Sequence, residues 1–137
     1  MPCAIVEKPM SDSDEIKQQA LECDIEIDAF NTAKRVMEED FGEILGYYIE
    51  ESDKHVEEIE KALTLHNIEL AQLPAHTLKT SSRQFGAMKL GELSYEVEKA
   101  AAEKKPVETI DDLVTQIKEE YAKAKDFLMP YLETEDA

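Results

Sequence analysis

From Phe41 to Leu63, apolar residues recur at helical spacing for about six turns without a break. The stripe is Phe41, Ile44, Leu45, Tyr48, Ile49, Val56, Ile59 and Leu63, with Ser52 in the same register. A helix of this length with one apolar side must bury that side against other elements. Nothing in the chain alternates with a period of two over a useful length, and there are no internal repeats. Only four Gly and five Pro, no Trp, and 34% charged residues suit helices better than sheets.

Further helical patterns flank this one. Residues 1–11 lack periodicity and contain Pro2 and Pro9, which predicts a flexible tail. Residues 12–22 carry a thin stripe (Ile16, Ala20, Leu21), which predicts a short polar helix within an N-terminal tail that runs to residue 23. Ile27, Phe30, Ala33 and Met37 mark a short amphipathic helix. Asp40 is placed to cap the long helix at 41–64. Asn67 opens a third helical segment that ends at Gly86. A fourth runs from about 87 to 105, with Leu90, Leu93, Val97, Ala100 and Ala101 inward and Pro106 as its stop. Thr109 is placed to cap a fifth, at about 110–131. Four long helices with short connections predict an all-α, antiparallel four-helix bundle over 24–132. The short helix near residue 30 would cover one end, and 133–137 would form an acidic C-terminal tail.

At 137 residues one domain is expected. A net charge of −17 argues against nucleic acid and anionic membrane surfaces and favours protein partners. No apolar run approaches the roughly 20 residues that span a bilayer, and the N-terminus shows no leader pattern. Cys3 and Cys23 form no metal or redox motif, so a reduced, cytoplasmic chain is expected; a monomer is expected as well.

Acid is absent from one stretch. Between Glu69 and Glu92 there is no carboxylate, while Lys79, Arg83 and Lys89 supply three cations. His76 lies within it. On a wheel of about 100° per residue, Lys79, Thr80 and Arg83 share its side, whereas Leu78, Ser81, Ser82 and Phe85 face the opposite one. Imidazole is a neutral nucleophile in quantity near neutral pH. A nucleophile flanked by cations suits a group that must receive an anion, and phosphoryl transfer needs that arrangement. Lys79, one turn on, can reach a phosphoryl group on the ring. Arg83, two turns on, is better placed to steer a partner.

The string His76-Thr77-Leu78-Lys79-Thr80-Ser81-Ser82-Arg83-Gln84-Phe85-Gly86-Ala87 resembles the phosphorylation-site motif of histidine phosphotransfer (HPt) domains. It matches at His76, Leu78, Lys79, Ser81, Ser82, Phe85, Gly86 and Ala87. The resemblance implies that His76 is the phosphoacceptor and that Lys79 stands beside the phosphate. It implies receiver domains of response regulators or hybrid histidine kinases as partners. It also implies that the chain has no cofactor of its own, the divalent metal being carried by the receiver. The commonest residue four after the histidine in that family is Gly, and Thr80 departs from it; a larger side chain on the docking face predicts slower or more selective transfer. Pro74 is a second oddity, since in a helix interior it costs about 3 kcal/mol. Either the helix restarts there or it kinks.

Other residues read more plainly. Ser81 and Ser82 suit packing, because no base and orienter accompany them. His55 reads as a hydrogen-bonded, half-buried side chain and His66 as a cation at a helix end. The three histidines have no metal spacing, and no Gly-rich phosphate loop exists for a nucleotide. A phosphorelay carrier without kinase activity is therefore expected. The alternative is a receiver-binding module that does not itself accept phosphate.

Overall fold

The computed structural model describes residues 12–136, with side chains described for 14–132. The expected tail at 1–11 and the last residue lie outside this range. Six α-helices are present: α1 (Asp12–Glu22), α2 (Ile27–Met37), α3 (Phe41–Thr64), α4 (Gln72–Gln84), α5 (Met88–Ala102) and α6 (Asp111–Leu128). Short 3-10 turns precede α3, α4 and α6, and another, Met129–Asp136, follows α6. No strand occurs among the described residues.

Helices α3 to α6 form an antiparallel four-helix bundle. Their ends show the alternation directly. The start of α3 (Phe41), the residue just after α4 (Phe85) and the last turn of α6 (Phe127) gather at one end around Phe30 of α2. Phe30 makes edge contacts with Phe41, Phe127 and Tyr131 at ring separations of 5.6, 5.0 and 4.9 Å. Phe41 and Tyr48 meet Phe85 at 5.8 and 4.9 Å. Phe30 is fully buried, so α2 closes that end with an aromatic plug. Truncating such a residue to Ala typically costs about 3–5 kcal/mol.

Helix ends explain the connections. Glu26 caps α2 by accepting from the Ala29 amide at 2.9 Å. The α4–α5 turn rests on Gly86, which has φ +90°, and a Cβ there would lie 2.7 Å from the Glu26 carbonyl. The Glu26 amide donates to the Gly86 carbonyl at 2.7 Å. Left-handed backbone and close approach both require glycine at this position. His66 and Lys104 end α3 and α5 in the same left-handed region without being glycine, at φ 52° and 57°.

Several expectations change. Asp40 does not cap α3, because Glu38–Asp40 is already a 3-10 turn and its side chain makes no capping bond. Thr109 lies inside the turn Val107–Ile110 and likewise gives no side-chain cap to α6. Residues 12–23 are not a tail: Ala20 and Cys23 are buried in the core. Cys23 is disulfide-bonded in the structure. Pro74 falls in the first turn of α4, where the amide it lacks has no helical partner to lose. The helix therefore runs on to the site without a penalty.

Candidate functional site

Helix α4 holds His76 on its solvent side because Ala75, Leu78 and Ser82 take the inward positions. The His76 side chain is 54% exposed. Ser82 is fully buried and pairs with the Tyr48 hydroxyl at 2.7 Å, which fastens α4 to α3. Ser81 donates to the Thr77 carbonyl at 2.9 Å. Both serines thus serve packing and helix geometry, as expected.

The acid-free stretch is acid-free only along the chain. Glu98 reaches across from α5 and places Oε2 2.7 Å from His76 Nδ1 and Oε1 2.8 Å from Lys79 Nζ. An ionised carboxylate only accepts, so the Nδ1–H must donate, and in the neutral ring the lone pair then sits on Nε2. Partial burial by itself would raise the Glu98 pKa. The hydrogen bonds and charges of Lys79 and His76 outweigh it and hold the carboxyl below its ordinary range.

The remaining expected residues spread over two flanks. Thr80 is exposed, and its hydroxyl donates to the His76 carbonyl at 3.2 Å. Lys79 is confined, with only 16% of its side chain exposed, and its ammonium lies 5.2 Å from the centre of the Tyr95 ring. Arg83 runs over Gly91 of α5, so closely that a Cβ there would meet its Cγ at 2.8 Å. It is therefore on the same side of α4 as His76 but away from the ring. Lys89 belongs elsewhere, paired with Glu120 at 3.5 Å.

Glu98 and Tyr95 are site members that reading the chain linearly missed. The signal was the hairpin. Arg83 faces Gly91, Lys79 faces Tyr95 and His76 faces Glu98, each pair equidistant from Ala87. Placing the turn at Gly86-Ala87 and folding α5 back along α4 would have brought Glu98 to His76.

On its other flank α4 meets α3 along a shallow groove. Leu70 and Leu73 line one part of it and Ile44 and Tyr47 another, with His55 and Thr77 common to both. Leu73 is 72% and Tyr47 59% exposed, unusually high for such large apolar groups. His55 is half-buried and lies 3.4 Å from Glu58, as expected of a structural histidine. No cluster of three or more potential metal ligands occurs among the described residues. No described helix is long and apolar enough to cross a membrane.

Residues 43–127 match the Hpt domain family. The fold is similar to the crystal structure of histidine-containing phosphotransfer protein B (HptB) from Pseudomonas aeruginosa PAO1, at 19% identity and a TM-score of 0.71. That match covers 80% of this chain and 95% of the other. No curated protein matches the sequence.

Proposed function

The chain belongs to the Hpt domain family, and from that premise we propose that His76 takes a phosphoryl group from the aspartyl phosphate of one receiver domain and yields it to another. Hpt domains act as phosphotransfer carriers in phosphorelays rather than as autonomous kinases. The single observation that carries the assignment to His76 is the Glu98–His76 contact of 2.7 Å. It fixes the tautomer: in the neutral ring the proton sits on Nδ1, and Nε2 carries the lone pair that an in-line nucleophile needs.

The step balances with the residues present. Nε2 attacks phosphorus, an N–P bond forms, the O–P bond of the acyl phosphate breaks, and the receiver aspartate leaves as carboxylate. The Nδ1 proton stays on the ring, which becomes cationic, and Glu98 stabilises that new charge. Lys79 is the cation available to the phosphoryl oxygens. The divalent metal of the reaction is expected on the receiver. Thr80 borders the position the phosphoryl group would occupy, and Arg83 extends the cationic face toward an incoming partner. The exposed apolar groove of Leu70, Leu73 and Tyr47 offers the receiver a surface to bury.

This role belongs in the cytoplasm, where thiols are kept reduced. There the disulfide at Cys23 should open, and a thiol count on protein isolated with alkylating agent checks that.

Incubation with phosphorylated receiver domains tests the function. His76 should acquire label that is acid-labile and base-stable, and His76→Gln should acquire none while keeping its helical spectrum. Label on the variant would refute the acceptor assignment. A receiver that binds the wild type without labelling it would favour the non-accepting interaction module.

A further inference from the structure

We propose that Tyr95 is a positioning residue for Lys79: its ring holds the ammonium on the His76 side of α5, where an incoming phosphoryl group can take it over from Glu98. This rests on the phosphoacceptor reading of His76. Tyr95 lies one turn before Glu98 on α5, and the two bracket the Lys79 ammonium, Glu98 Oε1 at 2.8 Å and the ring centre at 5.2 Å. A lysine stem is ordinarily free; Lys54 on α3 is 64% exposed, against 16% for Lys79. Lys99 lies over the same ring at 5.3 Å and pairs only loosely with Glu96, at 3.8 Å. The ring therefore carries two ammonium groups, although Tyr95 itself is 39% exposed and contributes little to the core.

Glu98 alone cannot do this work. Its carboxylate competes with the phosphoryl group for the same ammonium, and the phosphoryl oxygens repel it. A ring face attracts the ammonium without bringing a net negative charge. Lys79 can thus turn from Glu98 to the phosphoryl oxygens while staying over the ring. The phenol hydroxyl plays no part in this account, so phenylalanine should serve as well as tyrosine.

Two measurements on the full chain test the assignment. In NMR spectra of the unphosphorylated protein, the Lys79 ε-methylene protons should be shifted upfield relative to those of Lys54. That shift should persist in Tyr95→Phe and vanish in Tyr95→Leu. Phosphorylation with phosphoramidate should then proceed near the wild-type rate in Tyr95→Phe and about two- to fivefold slower in Tyr95→Leu, the range set by a half-exposed cation–π contact. In a Lys79→Ala background the Tyr95→Leu change should cost nothing further. A cost that persists in that background, or equal losses in Tyr95→Phe and Tyr95→Leu, overturns the proposal. If Tyr95→Leu fails to fold, an unshifted Lys79 signal in the wild type or in Tyr95→Phe overturns it alone. If the wild type takes no phosphoryl group at all, the phosphoacceptor reading fails, and the Lys79 shift still decides whether the ring holds the lysine.

Discussion

His76 is exposed and yet not free, because one carboxylate fixes its proton and its rotation. Glu98→Gln keeps an oxygen in place and removes the charge that meets the developing imidazolium. Phosphoryl acceptance from a receiver should fall about tenfold, the gap between a charge-assisted and a neutral hydrogen bond. An unchanged rate would mean the charge is idle. The same residue predicts a pH response. Its pKa is held below the ordinary 4.5 in the fold, so its stabilisation is complete above the unfolded value and disappears as pH falls through the lower, folded one. Denaturant midpoints of wild type and Glu98→Gln should therefore differ at neutral pH and converge below pH 4.5; a pH-independent gap would contradict the linkage. Thr80→Gly should speed transfer by clearing a β-branched side chain from the docking face, at a helix cost of roughly 0.5 kcal/mol. A folded variant that transfers no faster shows that Thr80 does not restrict the site.

At the scale of elements, the bounds of α3 could be read from the periodicity alone, since a long stripe leaves one register. The predicted caps at Asp40 and Thr109 failed because each is preceded by residues already in a 3-10 turn, which no side-chain preference announces. That His76 and Lys79 share a side could be read for a related reason: both lie on one helix, where spacing fixes direction. Glu98 and Tyr95 could not be placed in this way, because their relation to His76 depends on the hairpin register. That register can be tested at Gly91, where α5 admits the Arg83 stem and a Cβ would also stand 3.2 Å from the Lys79 carbonyl. Gly91→Ala should be net destabilising: overpacking costs about 1–3 kcal/mol, against about 1 kcal/mol recovered in helix propensity. A stabilised variant in chemical denaturation would show that α4 and α5 are less closely apposed. Across the other interface, the Tyr48 hydroxyl is buried against Ser82 and its pKa is pushed up to about 12, chiefly by burial. Stability from this group is complete below the unfolded value of 10.0 and is lost as pH rises through about 12. Tyr48→Phe should orphan the Ser82 hydroxyl, cost about 1–3 kcal/mol and blunt that alkaline loss in a denaturation series.

For the whole molecule, charge is distributed unevenly within a net −17. Helix α4 has cations and no acid, and Lys79 is already matched by Glu98. In the proposed transfer the cation left for long-range steering is Arg83, which lies over Gly91 rather than against a carboxylate among the described residues. Arg83→Ala should slow association with a receiver at low salt, with the loss shrinking as salt rises. Stopped-flow rates across ionic strength check this, and a deficit independent of salt would assign Arg83 to direct contact instead.

The hairpin symmetry about Ala87 has a consequence for how the protein is made. His76 and Glu98 are separated by 22 positions, so at about 5–20 residues per second the histidine emerges from the ribosome about one to four seconds before its carboxylate. During that interval the imidazole has no fixed tautomer and Lys79 has no anchor. The contact between His76 and Glu98 forms when α5 closes on α4, a local event over a short loop that should be among the faster steps of folding.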